Sequence, residues 1–174
     1  GNPRAKDGLH NFFEQWLETK SFENLIKDPT YYPDFSPEIA LDLRRSLLRF
    51  MEYLVLERDD GIQALFRSPT VFVNARLAGL YGMGGSGLPT DTFQPVTADP
   101  TRRAGLLSQP AMMALLGKPD QSAPIQRGVF VIERIMCQTL PPPPPDTPVI
   151  PPDPDPNLTT RERFEVLTGN APCS

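Results

Sequence analysis

The chain has 174 residues, 22 of them proline, and a formal net charge of −4. A negative balance with scattered lysines and arginines offers no basic field for nucleic acid. No apolar run reaches the ~18 residues of a membrane-spanning helix, and two cysteines are too few for a disulfide framework.

The first predicted element is a helix over "RAKDGLHNFFEQWLETKSFENL". Leu9, Phe12, Phe13, Trp16 and Leu17 recur at i, i+3, i+4, i+7 and i+8, the spacing of one buried helical face. His10, the sole histidine, falls off that stripe and reads as an exposed helical residue. A second start lies at Ser36-Pro37-Glu38, with a capping hydroxyl, a proline at the first helical position and an acid in the first turn. Ile39, Leu43, Leu47, Phe50 and Leu54 then form a stripe, widened by Leu48, Met51 and Val55. The spacing predicts a helix of roughly twenty residues ending near Asp59-Asp60-Gly61.

Asp60 with Gln63 has capping-box spacing and opens a short helix over "GIQALFRS". "TVFVNARLAGLYG" reads as an extended turn and then a helix from about Val73 to Tyr81, stopped by Gly82. "PTVFV" is the one β-branched run, with no evident partner strand. "MGGSGLPTDTFQPVTADP" reads as loop. "RRAGLLSQPAMMALLG" is helical, kinked or split at Pro110. After the turn "KPDQSAP", Pro124 opens a helix in which Val129, Ile132 and Met136 share a face. Ten prolines crowd residues 141–156. Thr159 with Glu162 forms a capping box that opens a last helix over "TTRERFEVL". The fold expected is all-α, an irregular multi-helix domain with long loops and a polyproline II strap near the C-terminus. Its expected parts are a helical first module (1–82), a Gly/Pro-rich loop (83–100), a helical second module (101–140), the strap (141–158) and a short helix (159–174).

Motifs with chemical content are few. "GMGGSG" matches G-x-G-x-x-G, but a helix precedes it and Leu88-Pro89 follows, so the strand and helix that a dinucleotide site requires are missing. Asp153, Asp155 and Asn157 have the alternate spacing of a calcium loop without its glycine, and read as a solvated linker. No catalytic constellation and no metal site is expected. Pro141–Pro145 favour a polyproline II rod, either a strap across the chain's own helices or a ligand for a partner's aromatic groove.

The segment "RAGLLSQPAMMALLGKPDQSAPIQRGVFVIERIMCQTLPPPPPDTP" resembles the paired domains of unknown function of large secreted proteins of planctomycete and myxobacterial type. Arg103, Gly105, Leu106, Leu107, Pro119, Asp120, Pro124, Arg127, Gly128, Val131 and Glu133 carry that pattern. The preceding domain of the pair is matched by "NFFEQWL" and by the stretch from "YPDFSPEIALDL" to "ARLAGLYG". The resemblance implies that the chain continues into C-x-x-C-H, the covalent attachment motif of haem c, with Cys173 at its first cysteine.

It further implies a periplasmic or extracellular scaffold for electron transfer or haem positioning. The partners implied are the remainder of a parent protein or a cytochrome, and the parent would be an oxidoreductase. Arg103 and Arg127 are the residues expected near haem propionates, with an Asp120–Arg127 pair holding the turn as the structural alternative. Cys137 reads as a buried thiol or as the partner of Cys173. A protein-interaction module acting through Pro141–Pro145 is the competing reading.

Overall fold

A computed structural model of the chain describes residues 3–58, 60–83, 87–142, 153, 155 and 157–169. The chain divides into two compact units, Gly1–Asp120 and Gln121–Ser174. Both are mostly helical, as expected, and the first also holds a small two-stranded sheet.

The first unit is organised around α2 (Pro37–Glu52), which touches α1 (Pro3–Trp16), α4 (Ala75–Leu80), α5 (Pro110–Leu115) and strand β1 (Thr70–Val73). The Ser36 hydroxyl accepts from the Ile39 N–H and Pro37 occupies the first helical position, so the predicted start is the observed one. Ile39, Leu43, Leu47, Phe50 and Leu54 are all buried. With Leu17, Phe22, Phe72, Val73, Leu77, Leu106 and Met112 they make the core. Each large side chain there contributes about 1.5–3 kcal/mol on burial.

Past Glu52 the helix widens into a π-helical segment, Tyr53–Arg58. The extra residue per turn rotates the stripe, and Val55 is exposed rather than buried. Of the face predicted for the first helix only Phe13 and Leu17 are buried, while Phe12 is 57% exposed and stacks on Trp16 at 5.8 Å between ring centroids. The α-helix stops at Trp16, shorter than expected. Glu18 takes a left-handed conformation (φ 55°), and a 3-10 helix follows over Thr19–Asn24.

β1 is not alone. It pairs antiparallel with β2 (Gln94–Thr97), in the register Val71↔Val96 and Phe72↔Pro95. The partner lies inside the stretch expected to be loop, because Pro95 and polar neighbours hide the strand signal. Proline is tolerated in a two-stranded sheet, where every strand is an edge. Between the strands, α4 ends in a Schellman motif: the Met83 N–H reaches the Ala78 carbonyl, and the Gly82 N–H reaches that of Gly79. Gly82 has φ +65°, so the glycine stop is the expected one. Pro110 splits rather than kinks its helix, opening α5 after a 3-10 turn at Leu106–Ser108.

In the second unit, α6 (Pro124–Phe130) runs into a second π-helical segment, Val131–Ile135. Phe130 is buried and Met136 is 54% exposed, so the predicted Val129/Ile132/Met136 face is replaced by one set by the wider turn. α7 (Thr160–Thr168) opens with the predicted capping box of Thr159 and Glu162. Pro141 and Pro142 are exposed and lie in no regular element. The rest of the expected polyproline strap, Pro143–Pro145 included, lies outside the described residues.

Candidate functional site

The described residues place much of their polar chemistry in four clusters. At the end of α2, Glu52 is only 3% exposed. Its carboxylate meets Arg49, the His10 Nε2 and, at 3.1 Å, the Lys6 Nζ. His10, expected to face solvent, is thus half-buried on an acid that the sequence does not single out. Burial opposes the charge on Glu52 most strongly, yet Arg49 and Lys6 together outweigh it and hold the carboxyl below its ordinary range. Arg49 also reaches Glu57 at 3.0 Å and lies 5.1 Å over the Phe72 ring.

Two turns and more earlier on α2, Asp42 is 1% exposed. Its Oδ2 accepts from the Asn74 Nδ2 at 2.7 Å and the Arg76 Nε at 2.6 Å. Asn74, fully buried, also donates to the Thr90 carbonyl at 2.8 Å and caps α4 by accepting from the Leu77 N–H. One amide therefore joins α2, α4 and the returning loop. The signal was present in the sequence, an Asn immediately before "ARLAGL".

Lys27 donates to the carbonyls of Gly117 and Lys118 at 3.1 and 2.9 Å, closing the C-terminal end of α5. Burial lowers its pKa, and Asp120 pulls it back up. In the second unit Arg163, 7% exposed, donates to the Gln121 Oε1, the Asp153 carbonyl and the Thr160 hydroxyl. Ser122 joins the same group through Thr160 at 3.0 Å.

The predicted site residues are distributed over both units. Arg103 belongs to the first unit, where its guanidinium lies 5.1 Å over the Tyr81 ring. Burial pushes the Tyr81 phenol well above its ordinary range, and Arg103 pulls the other way. Arg127 is half-buried on α6, in the second unit. Cys173 lies outside the described residues. Cys137 is exposed, not buried, because it follows the π-helical segment in a left-handed conformation (φ 53°) that turns it off the helix.

Asp60 does not cap α3 (Gly61–Arg67), since its carboxylate is taken by the Arg58 Nε at 3.0 Å. Asp155 uses one oxygen on the backbone and side chain of Asn157. Among the described residues no group of three or more His, Cys, Asp or Glu is placed to hold a metal, and no helix is long and apolar enough to cross a membrane.

Residues 1–83 match the family model PSD4, described as a protein of unknown function (DUF1592). Residues 103–174 match PSCyt3, described as a protein of unknown function (DUF1588). The expected pairing of two such domains along the chain is therefore found. No curated protein and no solved structure matches the chain.

Proposed function

We propose that this chain is a helical scaffold module of an extracytoplasmic, c-type-cytochrome-associated protein, holding a haem-bearing segment or its electron-transfer partner in place. The clusters support a holding role. Asp42, Lys27 and Arg163 each spend their polar atoms joining segments distant in sequence. The carrying observation is the second domain match, which runs over Cys173, the residue that the resemblance puts first in C-x-x-C-H. Haem bound there would supply one-electron transfer.

The described residues do not themselves fit a haem. The chain's one histidine has its Nε2 against Glu52, and the Arg103 guanidinium is stacked on Tyr81. Covalent attachment would fall to Cys173, as a thioether, and an iron ligand would come from outside the described residues.

Haem-stained gels and peptide mass spectrometry of the natural protein test the reading. Covalent haem on the peptide containing Cys173 supports it, and unmodified Cys173 in a haem-competent host overturns it. In the haem-loaded protein, Arg127→Met separates two roles: lost stability at unchanged reduction potential marks packing, and a shifted potential marks a propionate contact. The exposure of Pro141 and Pro142 favours a second reading, docking of the proline run into a partner's aromatic groove. Unmodified Cys173 together with saturable binding of the chain to such a groove would select it.

A further inference from the structure

An open groove of about 320 Å³ lies between the π-helical segment, the end of α3 and the start of β1. Its polar lining is Tyr53, Arg58, Asp60, Arg67, Ser68 and Thr70. The one carboxylate among these, Asp60, is already paired with the Arg58 Nε. That bond, and the position of Arg58 5.9 Å over the Tyr53 ring, fix the first guanidinium without filling the groove. Arg67 has no carboxylate partner among the described residues and is exposed at the last position of α3.

The Ser68 Oγ accepts from the Thr70 N–H, a role that does not use its hydroxyl proton. The walls are stiff, with Pro69 between helix and strand and the Ser68 carbonyl tied to the Gly105 N–H at 2.8 Å. Among the described lining residues, two guanidinium groups against one carboxylate leave a single surplus positive charge, beside the hydroxyl-bearing Ser68 and Thr70, on a chain whose net charge is −4. A planar guanidinium fork matches a planar oxyanion, and one surplus charge balances one carboxylate better than a dianionic phosphate.

We infer that this groove binds a small molecule through a single carboxylate, held by Arg67 and Arg58 and oriented by the Ser68 and Thr70 hydroxyls. The site stands independently of the cytochrome reading, since it uses no residue of that proposal.

Benzoate titrated into the full chain, followed by the backbone amide resonances of residues 60–73, tests it. Saturable shifts are expected, with a Kd on the order of 1 mM. Arg67→Gln weakens binding about tenfold or more, and Arg67→Lys, which keeps the charge but not the fork, recovers only part of it. Arg161→Gln, the same charge change at an exposed position of α7, leaves binding within about twofold. Absence of saturable shifts, or equal binding by the Arg67→Gln and Arg161→Gln proteins when both are folded by circular dichroism, overturns the site. Tighter binding of inorganic phosphate than of benzoate overturns the carboxylate assignment.

Discussion

Gly105 lies so close to Phe66 that a methyl group on its Cα would stand 2.2 Å from the Phe66 carbonyl carbon and 2.4 Å from its oxygen. The contact is backbone on backbone, so no side chain can swing aside. Gly105 also sits at φ 68° and ψ −175°, a region essentially closed to other residues. Gly105→Ala is therefore expected to cost more than about 2 kcal/mol, lowering the thermal midpoint by more than about 5 °C. Thermal denaturation checks it; a change within about 1 °C would mean that the backbones are not in contact.

Asn74→Ala removes a helix cap and leaves both Asp42 and the Thr90 carbonyl short of a donor. The expected loss is about 2–3 kcal/mol, from roughly 1 for the cap and the remainder chiefly from the buried Asp42 acceptor. Ser36→Ala removes a cap alone and should cost about 1 kcal/mol. Urea midpoints of the two variants rank them, and equal midpoints would show that the Asn74–Asp42 bond contributes nothing.

Glu52 sets an acid limb of stability. Its folded pKa is lowered, so its contribution is present above the unfolded glutamate pKa of about 4.3 and is lost as pH falls through the lower folded value. Glu52→Gln should be destabilised at pH 7, where Lys6 and Arg49 lose their shared counter-charge. The gap from the parent protein should close below the ordinary glutamate range. Urea midpoints from pH 7 to pH 3 read this directly, and a gap that widens toward acid would reverse the assignment.

Arg163→Ala should loosen the second unit by about 2–4 kcal/mol, since three acceptors lose a buried donor. Arg163→Lys should recover little, because one ammonium cannot reproduce the planar fork. Hydrogen exchange at the α7 amides is the readout, expected to speed by about tenfold or more. Unchanged exchange in Arg163→Ala would remove its clasping role.

Local chemistry was legible and distant pairing was not. Ser36-Pro37, Gly82 and Thr159 with Glu162 act within four residues of themselves, and each performs its predicted task. The stripe from Ile39 to Leu54 was legible because it repeats along one continuous helix. Pro95 opposite Phe72 was hidden, since only the fold brings residues 23 apart into register. Asp60 failed as a cap because Arg58, two residues back, takes its carboxylate. The π-helical segments at Tyr53–Arg58 and Val131–Ile135 broke the 3.6-residue period, which is why Val55 and Met136 face outward. Of the candidate site residues, Arg103 lies over the Tyr81 ring, and Arg67, which has no carboxylate partner among the described residues, carried no motif to flag it.

The grip of Arg163 on Gln121 sets an order of events during synthesis. The first unit is complete at Asp120 and can pack while the rest is still being made. The turn at Gln121 and Ser122 must wait for a side chain emerging 42 positions later, after the proline-rich stretch has been threaded out. A stall or cleavage anywhere in that interval would leave the leading unit finished and the trailing one without its fastener.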